Sequence, residues 1–173
     1  MSDLSFARIY DEHVWDVYGF IGYRVSSLGD AEDLTQLTFE RALRSRRSFD
    51  PARASARTWL LAIARNLVID HYREARHARE EPLPEGERAL VVAGAGEDRP
   101  SIGVDADLAR ALDALGDRDR ELIALRYGGD LSGPEIAELT GLTVANVQQI
   151  LSRSLRRLRD ELAGDVELAA AGG

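Results

Sequence analysis

The segment LSGPEIAELTGLTVANVQQILSRSLRRLR, residues 131–159, decides the fold of the C-terminal part of the chain. Ser132 is a helix-capping residue, and Glu135 three positions later completes the capping-box pattern. Gly141 suits the left-handed backbone that ends a first helix, and Thr143 can cap a second one. Two helices joined by so short a turn predict a helix-turn-helix, a unit that places one helix end in the major groove of DNA.

Apolar residues at steps of three and four predict that the rest of the chain is also helical. The predicted helices cover residues of about 4–26, 31–47, 58–79, 106–115 and 118–127. Asp30 is the predicted cap of the second of these helices, because Leu28-Gly29 breaks the pattern just before it.

The helical pattern stops between residues 80 and 105, where Pro, Gly and acidic residues dominate. We therefore expect an all-α fold of two small helical domains, residues 1–79 and 106–163, with the helix-turn-helix in the second. Residues 80–105 are expected to form an acidic flexible linker, and residues 164–173 a disordered tail.

The composition argues against several functional classes. The chain has no Cys, which removes disulfides and thiolate chemistry, and its three His lack a zinc-binding pattern. It shows no phosphate loop and no nucleophile motif, so we expect neither enzymatic activity nor a cofactor or metal. No apolar run reaches the length of a membrane span and the N-terminus is not signal-like, so we expect a soluble, cytoplasmic protein.

The charge is distributed unevenly along the chain. The net charge is −8, which by itself argues against a nucleic-acid partner. Residues 41–79, however, carry ten Arg and three acids, and residues 141–159 carry four Arg and no acid. Two basic islands in an acidic background, one of them inside a helix-turn-helix, favour DNA binding.

Three segments together resemble bacterial RNA polymerase sigma factors of the sigma-70 family, and within it the small extracytoplasmic-function group. The segments are DAEDLTQLTFERAL at 30–43, RTWLLAIARNLVIDHYR at 57–73, and LGDRDRELIALRYGGDLSGPEIAELTGLTVANVQQILSRSLRRL at 115–158. A helix-turn-helix alone is weakly specific, whereas the ordered combination is much more specific. The resemblance implies a region-two domain, a linker and a region-four domain.

The resemblance implies that the first segment docks on the β′ clamp helices of core RNA polymerase. The residues expected at this contact are Asp33, Gln36, Phe39 and Glu40. Leu37 occupies a position at which relatives usually carry an acid.

The resemblance assigns recognition and melting of the −10 promoter element to the helix at 58–79 and the loop before it. The residues expected at this DNA are Arg57, Arg65, Asn66, Asp70, Arg73 and Arg76. Asn66 suits a base edge and the arginines suit phosphates. Trp59 is expected to pack in the core rather than to stack on a base.

The resemblance assigns the −35 element to the helix that begins near Val144. The residues expected there are Thr143, Ala145, Asn146, Gln148, Gln149, Ser152, Arg153, Arg156 and Arg157. Relatives commonly carry Lys or Arg near the positions of Gln148 and Ile150, so we expect the free protein to bind DNA weakly.

The expected partners are core RNA polymerase, through its β′ clamp helices and β flap, promoter DNA and an anti-sigma factor. The acidic linker either mimics RNA near the polymerase active site or is a solvated tether. Two alternatives remain open at this point: a dimeric helix-turn-helix regulator that binds operator DNA without polymerase, and an adaptor that binds polymerase without reading DNA.

Overall fold

The computed structural model describes the backbone of residues 3–80 and 106–171, and the side chains of residues 5–78 and 106–163. Within these ranges every regular element is helical, which confirms the all-α prediction. Of the linker predicted at 80–105, Glu80 is the last residue of a helix, and residues 81–105 lie outside the described residues.

Three long helices form the first domain: α1 (Asp3–Arg24), α2 (Leu28–Ser45) and α3 (Ala56–Glu80). A short 3-10 turn, Arg46–Ser48, follows α2. The helices pack together because each presents one apolar face, and burial of these faces is the main stabilising contribution. The fully or nearly fully buried side chains of this core include Val17, Phe20, Ile21, Ala42, Leu60, Ala64, Leu67 and Val68.

The start of α2 differs from the prediction. The helix begins at Leu28, and its cap is Ser27, whose Oγ accepts a hydrogen bond from the backbone N–H of Asp30 at 3.3 Å. Asp30 therefore lies in the first turn, where its negative charge is favourable beside the helix N-terminus. The glycine at position 29 predicts a helix break just before Asp30, yet a glycine is tolerated in the first turn.

The second domain contains α4 (Ala106–Asp113), α5 (Asp117–Ile123), α6 (Gly133–Thr140) and α7 (Val144–Ala171). A π-helical turn, Ala124–Gly128, continues α5. Helices α6 and α7 form the predicted helix-turn-helix, and all three local signals for it are confirmed. Both hydrogen bonds of the capping box are present, Gly141 has φ 72°, and the Thr143 Oγ1 accepts from the N–H of Asn146 at 3.2 Å.

Helix α7 is longer than the sequence analysis predicted. It continues to Ala171, so the stretch 164–171, expected to be disordered, is helical. The stretch is rich in Ala, Leu and Glu, which have high helix propensity and extend a helix that is already nucleated.

The two domains share one hydrophobic core. The π-helical turn lies against α1, and Leu122, Leu125, Leu131 and Val147 belong to the same buried cluster as the core of the first domain. A smaller cluster, which includes Leu112, Leu115, Ile123 and Leu158, holds α4 and α5 against α7. The apolar pattern of the sequence predicts a separate core for each domain and does not predict this contact.

Candidate polymerase and nucleic-acid interfaces

A groove of about 660 Å³ runs between α1 and α2, and all its lining residues belong to the first domain. Three of the predicted polymerase contacts, Gln36, Phe39 and Glu40, line it. The Gln36 side chain donates to Glu40 at 3.1 Å, which fixes both on the exposed face of α2. Asp33 is exposed on the same helix but does not line the groove.

Aromatic side chains of α1 form the opposite wall of this groove, and sequence reasoning did not assign them a function. Trp15 is 75% exposed and Tyr10 is also exposed. Tyr10 covers Phe39 in an edge-to-face contact with the ring centroids 4.7 Å apart, so Phe39 is only 5% exposed. The available signal was that Trp15 falls outside the apolar stripe of α1, because a large exposed aromatic group marks an interaction surface.

The loop before α3 is held by short-range hydrogen bonds. Asp50 accepts from the backbone N–H of Ala52 at 3.0 Å, and the Ser55 Oγ accepts from the N–H of Thr58 at 3.1 Å. Trp59 is half-buried and packs against Phe49 with the ring centroids 4.7 Å apart. This position agrees with the prediction that Trp59 packs in the core.

Two of the predicted −10 arginines contact carboxylates of the second domain. The Arg57 Nη1 lies 3.1 Å from the carboxylate of Asp130 in the second domain, while its Nε lies 2.9 Å from Asp16 of the first domain. The Arg65 Nε lies 2.8 Å from Glu121. Asp130 and Glu121 of the second domain thus pair with two guanidinium groups whose contact with DNA phosphates stays a prediction.

The remaining predicted −10 residues lie on the surface of α3. Asn66 and Arg76 are exposed. Asp70 lies between two arginines, 4.0 Å from Arg41 and 3.7 Å from Arg73. The four predicted residues after Arg65 therefore lie on one helix and are accessible to solvent. Arg57 and Arg65, by contrast, form ion pairs with carboxylates.

The first turns of α7 present polar side chains to solvent. Ala145, Asn146, Gln148 and Gln149 are exposed, and Thr143 is the exposed cap of the helix. The next turns also expose Ser152 and Arg156. These side chains are therefore accessible, and their contact with the −35 element stays a prediction.

Two arginines farther along α7 have a structural contact as well. The Arg153 Nη2 lies 3.0 Å from Asp119, a residue only 9% exposed, and Arg157 lies 3.9 Å from the same carboxylate. Arg157 also donates to the carbonyl oxygen of Ala114 at 3.3 Å. Both arginines are predicted to bind phosphates, and they also hold α7 against the start of the second domain.

The capping box of α6 also touches the first domain. Hydrogen bonds from the hydroxyl and backbone N–H of Ser132 hold the pKa of Glu135 below its ordinary value, and burial opposes them. The Thr58 hydroxyl donates to the same carboxylate at 3.4 Å. Glu135 is therefore charged at neutral pH and joins the helix-turn-helix to the start of α3.

Comparison with known proteins decides the family. Residues 9–78 match the model for Sigma-70 region 2, and residues 105–158 match the model for Sigma-70, region 4. The chain is 36% identical over 162 residues to the ECF RNA polymerase sigma factor SigC of Mycobacterium tuberculosis, an alignment that covers 88% of this chain and 78% of SigC. This chain belongs to the extracytoplasmic-function group of sigma-70 factors. These matches confirm the predicted resemblance, and they do not favour the alternative of a dimeric operator-binding regulator.

Other relatives agree with this assignment. This sigma factor is 35% identical over 162 residues to the ECF RNA polymerase sigma factor BldN of Streptomyces coelicolor. The alignment covers 93% of this chain but only 61% of BldN, so the chain spans less than two thirds of that relative. The structure of the sigma factor RpoE in complex with the anti-sigma factor NepR from Bartonella quintana has a TM-score of 0.68 at 23% identity, covering 92% of this chain and 97% of that one. The structure of CnrH in complex with the cytosolic domain of CnrY also has a TM-score of 0.68, at 24% identity, with coverages of 95% and 91%. These two structures support the fold.

Among residues 3–80 and 106–171, none of the helices has the length and apolar character needed to cross a membrane.

Proposed function

We propose that this sigma factor binds core RNA polymerase through the groove between α1 and α2. We further propose that it reads the −10 element with α3 and the preceding loop, and the −35 element with the first turns of α7. The observation that carries the proposal is the row of exposed polar side chains at the start of α7. The capping box of α6, the turn at Gly141 and the Thr143 cap fix the position of this helix start. Amide side chains such as Asn146 and Gln148 suit adenine edges in the major groove.

In this proposal the polymerase supplies the catalysis, and the sigma factor supplies specificity. The protein acts in the cytoplasm, where its polymerase and promoter partners are. Both neighbouring structures are complexes, one with an anti-sigma factor and one with a cytosolic domain, so a protein partner that blocks promoter binding is expected here too.

Run-off transcription with core polymerase tests the DNA-reading assignment. The test variant carries Asn146→Ala, Gln148→Ala and Gln149→Ala, three exposed residues with no packing role. Because a lost base contact costs about 1–3 kcal/mol, we expect transcription from a −35-dependent promoter to fall by about tenfold or more. Binding to core polymerase should be unchanged.

The matched control replaces Asp160 and Glu161 with Ala, two exposed residues on the same helix far from its first turns. This control should transcribe normally. Equal activity of the triple variant and the control, with both well folded, would show that α7 does not read the promoter.

A further inference from the structure

Arg24, the last residue of α1, is a buried cation with no carboxylate within 4 Å among the described residues, although Glu121 and Asp117 interact favourably with it from farther away. Its side chain is only 7% exposed. Its Nη1 donates to the backbone carbonyl of Asp117 at 2.8 Å, and its Nε has no hydrogen-bond partner in the described part of the chain. The Tyr72 ring centroid lies 5.9 Å from the guanidinium carbon, a weak cation–π contact. A buried charge is costly unless an opposite charge compensates it.

Arg24 lines a cavity of about 510 Å³ between the two domains. Three more arginines line it, Arg65 and Arg76 from α3 and Arg118 from α5, together with the acids Asp117 and Glu121. The lining therefore carries four positive and two negative charges. Glu121 is already paired with Arg65, and the described residues give Arg76 and Arg118 no ion pair.

This combination of charge, shape and burial fits a phosphorylated ligand. A guanidinium group binds phosphate oxygens through two parallel N–H donors, and such charge-assisted hydrogen bonds are the strong ones. The volume falls within the range of small-molecule sites, which is about 300–1,000 Å³. Ile69 and Tyr72 add an apolar wall on which a ring could pack. The net lining charge is +2, which a single phosphate dianion could balance, so charge alone does not select a diphosphate. The selection rests on the spread of the arginines over α1, α3 and α5, because two linked phosphate groups can contact arginines of both domains at once.

We propose that this cavity between the domains binds a small molecule that carries a diphosphate group. The ligand contacts Arg24 and Arg76 from the first domain and Arg118 from the second, so it bridges them. We call the packing of the two domains on one shared core the closed arrangement. A ligand that binds only this closed arrangement stabilises it. It also occupies Arg76, one of the residues assigned to −10 DNA, and this consequence, unlike the binding itself, rests on the proposed function.

Calorimetric titration of the full chain with inorganic pyrophosphate, at constant ionic strength, tests the proposal directly. We expect saturable binding at one site per chain. Arg118→Gln and Arg76→Gln should each weaken it by about tenfold, the expected effect of losing one charge-assisted contact. Both residues are exposed, so neither substitution threatens folding. Arg24→Gln should abolish binding, with its fold checked by thermal unfolding.

The matched control is Arg8→Gln, an exposed arginine on α1 that does not line the cavity. Its binding should stay within about twofold of the wild type. Absence of saturable binding up to ~5 mM pyrophosphate and ~5 mM ADP, or an equal loss in the Arg8 variant, would overturn the proposal.

Two further ligands identify the source of the diphosphate. Binding of ADP that is tighter than that of pyrophosphate and equally sensitive to Arg118→Gln supports a nucleotide, and the reverse order supports an inorganic diphosphate. Binding of a single-stranded oligonucleotide that depends on Arg118, with no binding of either diphosphate, would instead assign the cavity to DNA. None of these titrations contains polymerase, so their failure is distinguishable from a failure of the proposed promoter function.

Discussion

Trp15 on α1 exposes three quarters of its side chain beside the groove that we assign to polymerase. An aromatic side chain of this size is typical of the few residues that dominate an interface. We therefore expect Trp15→Ala to weaken binding to core polymerase by at least about tenfold, measured by fluorescence anisotropy. Because the side chain is already exposed, the unfolding temperature should hardly change. Tyr127→Ala, an exposed aromatic residue outside the groove, is the control and should bind normally.

The glycines at positions 19 and 128 let α1 and the π-helical turn touch through their backbones. A Cβ at position 128 would lie 2.6 Å from the Gly19 carbonyl oxygen, which cannot move without shifting α1. Gly128→Ala should therefore force the domains apart and lower the free energy of unfolding by on the order of 1–3 kcal/mol, measured by urea denaturation. Gly29→Ala is the control, because its Cβ would meet only Ser27 Oγ at 3.6 Å. A wild-type stability for Gly128→Ala would mean that the domains are not in this contact in solution.

The first helix of the helix-turn-helix, α6, depends on its capping box. Ser132→Ala removes the cap and one partner of Glu135, so we expect a loss of about 1 kcal/mol in urea denaturation. Ser152→Ala, an exposed serine within α7, should be neutral. A neutral Ser132→Ala would show that packing alone holds α6 in place.

The same capping box makes stability depend on pH. The pKa of Glu135 in the folded protein lies below its ordinary value of 4.5, so its contribution is fully present above that value and is lost as the pH falls below it. The stability difference between the wild type and Glu135→Gln should thus be largest near pH 7 and shrink below about pH 4.5. Urea denaturation of both proteins, near pH 7 and below about pH 4.5, measures this stability difference. A difference that grows toward low pH would contradict the assignment.

The elements differ in how far local sequence determines them. The helix-turn-helix was predictable because Ser132, Gly141 and Thr143 act on their own neighbours, within a few residues. The cap of α2 was not, because Ser27 and Asp30 are both good caps and only the backbone path selects between them. The polar face at the start of α7 followed from helical spacing, whereas the aromatic wall at Trp15 becomes visible only once α1 and α2 are packed.

At the scale of the whole molecule, the structure holds the two domains closed, and no local pattern predicts that arrangement. Arg57 and Asp130 are 73 positions apart, and Arg65 and Glu121 are 56 apart. In this arrangement carboxylates of the second domain bind two arginines assigned to −10 DNA. Under the proposed function, promoter phosphates would have to displace those carboxylates, so opening of the domains would precede full −10 contact and lower the apparent affinity of the free protein for DNA.

Weakening these interdomain ion pairs should therefore open the molecule and improve its binding to DNA. The test variant carries Asp130→Asn and Glu121→Gln. Asp130 has φ 53°, a left-handed conformation that Asn also tolerates, so the backbone is preserved. The chain has no Cys, so Glu12→Cys and Glu138→Cys, both exposed and one in each domain, provide unique sites for a fluorescent donor and acceptor.

Partly exposed ion pairs contribute only about 0.2–1 kcal/mol each, so we expect a partial change: lower energy transfer between the dyes and about two- to tenfold tighter binding of a single-stranded −10 oligonucleotide. Raising the salt from ~0.1 M to ~0.5 M should lower the energy transfer of the wild type toward that of the variant, since salt screens the same pairs.

Asp160→Asn, which removes an exposed acid remote from the interdomain contacts, is the control and should leave both the energy transfer and the oligonucleotide binding unchanged. Unchanged energy transfer in the double variant would mean that the shared apolar core, rather than these carboxylates, holds the domains together. Weaker oligonucleotide binding would mean that the acids support the −10 surface instead of competing for it.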